Sequence, residues 1–387
     1  MIESPATALL THLRARQTEM VDLLSRLALI ESPSLVPESQ GPVFDLLTEA
    51  LAGAGYRARR LPGTPGNGDG GQLFALPAAR RRGRGAQLLL GHVDTVWEEG
   101  TLARMPVTLA DGRLSGPGVF DMKGGLTQAV FALSALRELG LDPPATPVLF
   151  VNSDEEVGSG SSTRSIIRLA RRVHRVFVLE PALGLTGKLK TGRKGIGRFT
   201  VTVYGRASHA GLAPEEGASA IVEMAHVILK LQSLADPARG ITVNVGVVAG
   251  GTRGNVVAPE ARAEIDVRVL TEGDGATIER AILGLQPVTP GTRIVAEGAV
   301  DRAPLERTPR NQALFAQAVA AAGELGIALV EGTAGGASDG NTTSLHAATL
   351  DGLGAVGDGA HAVHEHVVVD RLPERAALLA LLLLAPV

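Results

Sequence analysis

The chain has 387 residues, 45% apolar and 20% charged, which excludes intrinsic disorder and exceeds the length at which one hydrophobic core usually divides. Lys and Arg number 37 against 40 Asp and Glu, and the resulting charge of −3 gives no electrostatic case for nucleic acid or an anionic membrane as partner. The absence of cysteine excludes disulfides, thiol catalysis and cysteine-ligated metals, and 3% aromatics argues against stacking platforms for bases or sugars.

Residues 1–30 carry charge throughout and lack an apolar segment ending in a small-residue cleavage site, so no targeting signal is read and a cytoplasmic location is expected. Met20, Leu23, Leu24 and Leu27 recur at helical spacing, and Ser32-Pro33-Ser34 ends that helix. Val43, Phe44, Leu46, Leu47, Ala50 and Leu51 predict a second helix, closed by Gly53 and Gly55, and the composition of 61–72 predicts a loop. Short apolar runs follow at 87–91, 146–152 and 176–179, with helix-length patterns at 123–139 and 161–172 between them. Buried strands alternating with helices predict an α/β domain, its central sheet mostly parallel with helices on both faces.

The pattern then changes. FTVTVYG (199–205), ITVNVGVV (241–248) and AEIDVRV (263–269) alternate with period two, as strands of an antiparallel sheet with one covered face do. With helices predicted at 214–235 and 275–285, residues 190–301 read as an inserted α+β domain, and 1–189 and 302–387 as the two parts of the α/β domain. The C-terminal run AALLALLLLAPV (376–387) is shorter than the roughly 20 residues of a membrane-spanning helix and is expected to dock on the core.

Acidic and imidazole groups gather at predicted strand ends, the rim where open α/β sheets place their sites. The strand at 87–91 runs into His92-Val93-Asp94, where Asp94 can orient the imidazole of a metal-binding histidine. FVNSDEEVGSGSS sets Glu155 and Glu156 just after a strand, so that one can ligate a metal while the other moves protons. VFVLEP ends a strand at Glu180, GPGVFDMKGG holds Asp121 in a Gly-rich turn, and GDGAHAVHEH places His361 after a strand expected at 353–356. His92, Asp121, Glu156, Glu180 and His361 are too many donors for one open site but suffice for two ions sharing Asp121. Oxygen and imidazole donors suit zinc, with cobalt or manganese as substitutes. Three ligating carboxylates, two divalent ions and a bridging hydroxide sum to zero charge, and Glu155 is the expected general base. Taken singly, each motif has a plainer reading: Asp121 as a helix N-cap, GHVD or DEE as capping or surface residues, and any lone histidine, including the competing His364 and His366, as structural.

Together, GHVDTV, GPGVFDMKGG, SDEEVGS, LEP, GRASHAG, GGASDGN and GAHAVHE resemble a zinc metallopeptidase family: that of glutamate carboxypeptidase, aminoacylase, acetylornithine deacetylase and succinyl-diaminopimelate desuccinylase. The resemblance covers about Leu88 to Asp370. It implies a dinuclear zinc centre on His92, Asp121 as bridge, Glu156, Glu180 and His361, with Asp94 supporting His92 and Glu155 as catalytic base. It also implies a cis peptide at Asp121–Met122. By the same likeness the inserted domain is a lid that forms a homodimer, His209 steadies the oxyanion in the neighbouring subunit's site, and Asn255 and Arg268 bind substrate. For Arg268 a strand-face ion pair with Glu264 or Asp266 is the competing reading.

Within the family the likeness is strongest to the folate-cleaving glutamate carboxypeptidase. The residues after His361 and the loop PALGLTGKLKTGRKG after Glu180 depart from it, which bears on glutamate preference. The expected activity is removal of a C-terminal amino acid from a small peptide or acyl-amino acid. The alternatives are an N-acyl amino acid deacylase or a non-catalytic binding protein retaining the fold.

Overall fold

The structure, a computed structural model, describes residues 4–63, 70–79 and 83–387. Half of the loop expected at 61–72, residues 64–69, therefore lies outside the described residues. The chain divides into two compact units. One comprises Met1–Thr191, Arg307–Thr333 and Ser338–Val387, and the other Gly192–Glu306 with Ala334–Ala337.

The first unit is built on a six-stranded sheet in the spatial order Tyr56–Leu61, Gln72–Pro77, Thr146–Asn152, Ala86–His92, Arg175–Val178, Ala348–Leu350. The last four strands are mutually parallel, and Gln72–Pro77 pairs antiparallel with its neighbours on both sides. Period-two geometry sends alternate residues to opposite faces. Leu89, Leu149, Val151 and Phe177 join the larger apolar cluster, whereas Leu88, Leu90, Val148, Phe150, Val176 and Val178 join a smaller one with Ile166. The mostly parallel sheet covered on both faces is the fold class expected from the sequence.

Helix Gly124–Glu138 is buried on nearly every side, as a helix in the middle of a core must be. Its start needs glycine, since a Cβ on Gly125 would meet the Leu179 carbonyl oxygen at 2.0 Å. The C-terminal apolar run forms helix Arg371–Leu384 and packs against Gly124–Glu138 in the same core. Among the described residues no helix is long and apolar enough to cross a membrane.

One expected strand is absent. Residues 353–356 are not extended in a ladder; the strand is Ala348–Leu350, which ends before Gly352 at φ 78 and Gly354, whose Cα lies against the Leu179 carbonyl. The two glycines turn the backbone out of regular strand geometry, and although Leu353 N still donates to the Val178 carbonyl at 3.1 Å, the pairing that the apolar residues suggested is interrupted.

The second unit is a four-stranded antiparallel sheet in the order Thr242–Gly250, Glu260–Val269, Gly195–Tyr204, Arg293–Arg302. Helices Ala220–Gln232 and Glu272–Leu283 cover one face, over Phe199, Val201, Val203, Ala261, Ala263, Ile265 and Val267. Strand Arg293–Arg302 escaped the sequence pattern because Gly298, at φ 128, interrupts its alternation.

Leu379 is fully buried in the core of the first unit, whereas Leu35 is 84% exposed. Leu379→Ala is expected to cost about 2–5 kcal/mol and Leu35→Ala less than about 0.5 kcal/mol. Equilibrium urea denaturation checks this, and equal effects would contradict the assigned core.

Candidate metal centre

Three parallel strands bring the first donors together by register. Leu90 pairs with Val178, so two residues further on His92 stands beside Glu180. His92 also pairs with Asn152, after which the chain turns through Glu155 and Glu156. Asp121 arrives from the turn Val119–Lys123 that opens helix Gly124–Glu138, and the Asp121–Met122 peptide is cis. His361 sits in the loop between the short strands Gly357–Asp358 and His366–Val368.

Two cradles result, both using Asp121: His92, Asp121 and Glu180, and Asp121, Glu156 and His361. His92 Nε2 lies 3.4 Å from Asp121 Oδ1 and 3.5 Å from Glu180 Oε1. His361 Nε2 lies 3.5 Å from Asp121 Oδ2 and 3.2 Å from Glu156 Oε2. These separations are long for hydrogen bonds between charged groups. They match the edge of a tetrahedron, about 3.3 Å when donors stand roughly 2.0–2.1 Å from a central zinc. His92 Nε2 and Asp121 Oδ1 are buried without a hydrogen-bond partner, a costly arrangement unless a cation fills the space between them. The donor set therefore fits two divalent ions.

Asp94 meets His92 through both its backbone and its carboxylate. The imidazole Nδ1 donates to the Asp94 backbone carbonyl at 2.9 Å, with the Asp94 carboxylate at 3.3 Å. That leaves Nε2 facing Asp121 and Glu180. The Asp94 carboxylate also accepts from Ser34 Oγ and from the backbone N–H groups of Glu155 and Glu156, at 2.8, 3.2 and 3.1 Å. It thus pins the turn that carries both glutamates. The Glu155 side chain is buried on that turn. Asp154 is a brace, accepting from Ser161 N, Ser161 Oγ and Ser162 N.

Two further residues stand at the centre without having been singled out as site residues. Lys190 is buried with Nζ 3.9 Å from both Glu180 and Asp351, adding positive charge beside the first cradle. Glu365, read only as the last position of a motif, is fully buried and accepts from the Trp97 indole and from backbone N–H groups around Asp121. Burial raises its pKa above the ordinary carboxyl value, and these donors oppose the rise. Of the neighbouring histidines, His366 turns Nδ1 to the His364 carbonyl at 3.0 Å.

The crowded carboxylates demand compensating charge. Contacts with Asp121 and Glu156 raise His361 to about 10. Burial works to lower His92, but Asp121, Asp94 and Glu180 outweigh it and hold the imidazole well above its ordinary value. Burial disfavours the Asp121 anion, yet His361 and His92 hold its carboxyl far below the usual range, whereas burial raises Glu156. In the metal-free protein, protons on the imidazoles supply the positive charge that cations would supply.

The remaining candidates lie in the second unit. His209 is exposed, and its Nδ1 accepts from Gly211 N and Leu212 N at 3.1 Å each, which places the ring proton on Nε2 as a donor. The Asn255 carbonyl accepts from Ala210 N, which sets Asn255 next to His209 in the fold. Arg268 gives both arms of its guanidinium to Asp266, at 2.8 and 3.0 Å, the strand-face pair weighed above.

Residues 88–385 match peptidase family M20/M25/M40. The chain belongs to that family. Carboxypeptidase G2 of a Pseudomonas species is 32% identical over 78% of this chain and 75% of its own length. A succinyl-diaminopimelate desuccinylase of Methylobacterium radiotolerans is 31% identical over 92% of this chain and 95% of its own. Among solved structures, the aminopeptidase PepT of Bacillus cereus superposes with a TM-score of 0.78 at 20% identity, covering 95% of this chain and 98% of its own. A dinuclear metal-binding M20 peptidase of Bacillus subtilis gives 0.69 at 15% identity, covering 96% and 98%. The chain is thus a hydrolase of a metal-dependent peptidase family with an M20 fold.

Because His361 holds its proton at neutral pH in the metal-free state, zinc must displace it. Zinc titrations by calorimetry in buffers of different ionisation enthalpy are expected to show net proton release, and apparent affinity rising up to about tenfold per pH unit between pH 6 and 8. Binding without proton release would contradict the assigned cradle.

Proposed function

We propose that this hydrolase is a dinuclear zinc carboxypeptidase of the glutamate-releasing type, cleaving an amide bond next to a C-terminal amino acid. The observation that carries the reading is the pair of cradles sharing Asp121, with His92 Nε2 and Asp121 Oδ1 buried and unpartnered, beside the buried Glu155. His92, Asp121 and Glu180, and Asp121, Glu156 and His361, would hold two divalent cations, zinc with cobalt or manganese as substitutes, which when bound would polarise the scissile carbonyl and acidify water. Glu155 takes the proton of the attacking water and returns it to the departing amine. His209, with Nε2–H free to donate by virtue of its Nδ1 contacts, stabilises the oxyanion from a partner copy. Arg268 and Asn255 hold the substrate carboxylate, Arg268 exchanging Asp266 for it.

A homodimer through the inserted unit accompanies this reading. Thr242–Gly250 is an edge strand with Val247 and Val248 exposed, and helix Ala220–Gln232 exposes Ile221, Val222 and Leu229. Unpaired edges flanked by apolar groups favour pairing with a second copy. A second reading, deacylation of N-acyl amino acids, is favoured by the desuccinylase relative, whose match runs over more of this chain than that of carboxypeptidase G2.

Assayed on a folate-like glutamate conjugate, dipeptides and N-acetyl and N-succinyl amino acids, the zinc-loaded protein is expected to prefer the glutamate conjugate. Preference for an acylated amino acid would replace the first reading with the second. Glu155→Gln is expected to lower kcat at least about 100-fold, in line with loss of a general base, while retaining its metal. Parallel loss of metal would contradict the separation of Glu155 from the ligands.

A further inference from the structure

We propose that Glu365 is a positioning residue of the metal centre, the single carboxylate that fixes the Asp121 turn against the loop carrying His361. The inference rests on the two-cation reading above and adds to it a residue outside the five donors.

Four donors converge on this side chain. Oε1 accepts from Phe120 N at 2.9 Å and Asp121 N at 3.1 Å, and Oε2 from Gly118 N at 3.0 Å and Trp97 Nε1 at 2.8 Å. All four donors come from chain more than 240 residues away in sequence, and three of them from the turn that aims the Asp121 carboxylate. Glu365 also closes the His361 loop, where Ala362 N donates to Gly359 O at 2.8 Å and Glu365 N to Ala362 O at 2.9 Å. Gly359, at φ 83, lies so close that a Cβ there would meet Glu365 Cα at 2.8 Å. The Gly116 N–H then reaches the Glu365 carbonyl at 3.3 Å, and His366 pairs with Ser115. Turn and loop are therefore held at one residue.

The chemistry requires a carboxylate. Only an oxygen pair bearing no hydrogens accepts from four donors at once, whereas a glutamine amide would present its own N–H groups to two of them. His361 needs this support more than the other donors do. It is half exposed and sits at φ 60, a left-handed backbone conformation that is unfavourable for a residue with a Cβ. His92, by contrast, is held by a strand and by its Nδ1 bond. A slackened Glu365 clamp should therefore be felt in metal affinity, most of all at the cradle shared by Asp121 and His361.

Glu365→Gln tests this. Zinc dissociation constants are measured by chelator competition for the wild type and the variant, with the melting temperature of each metal-free protein measured alongside. The expected result is a metal-free variant that still unfolds cooperatively, with about 10- to 100-fold weaker binding of at least one of two zinc ions. If Glu365→Gln does not fold, Glu365→Asp keeps the charge but withdraws the carboxylate, and the same loss of affinity is expected. A folded variant that binds both ions within about twofold of the wild type would overturn the inference, and Glu365 would then serve the fold alone. A wild type that binds fewer than two ions would instead sink the two-cation reading itself, so the two failures are distinguishable.

Discussion

Like charges crowded around one aspartate are the constraint on which the rest depends. Asp121 belongs to both acidic clusters, and each of its oxygens faces an imidazole at a separation too long for a strong hydrogen bond and right for two donors on one ion. Such a cluster persists in a folded protein only with compensating positive charge, supplied by protons on His92 and His361 or by metal ions. Lys190 contributes a further charge at the Glu180 side, so the two cradles are electrostatically unequal. The scaffold serves this arrangement: parallel strands set His92 beside Glu180 by register, and Gly125 lets the helix after Asp121 approach the Leu179 backbone.

Much of this was legible in the sequence because strand ends and turn residues announce themselves. The apolar runs at 87–91 and 176–179 lead straight into His92 and Glu180, the run at 146–152 is followed within a few residues by Glu155 and Glu156, and parallel pairing leaves such ends side by side. The fold class followed from the same pattern, as did the change to period two after residue 190. The expected strand at 353–356 failed because apolar composition cannot show that the backbone leaves strand geometry at Gly352, which lies at φ 78. Strand Arg293–Arg302 was missed for a related reason, its alternation being broken at Gly298.

What sequence could not show are contacts between distant segments. Glu365 meets its donors across more than 240 residues, and no spacing rule links Trp97 or Phe120 to it. Asp94 illustrates a finer limit: its proximity to His92 was readable, but not that its backbone carbonyl takes the shorter imidazole bond while its carboxylate binds the next strand's turn. Arg268, weighed between substrate and strand-face roles, has its fork on Asp266, so a substrate carboxylate would have to compete with an existing bidentate pair.

Anomalous diffraction from crystals grown with zinc tests the shared-aspartate centre most directly. Two peaks about 3.5–4 Å apart are expected, one bounded by His92 and Glu180 and the other by Glu156 and His361, with Asp121 between them. A single peak, or ions bound away from Asp121, would contradict it.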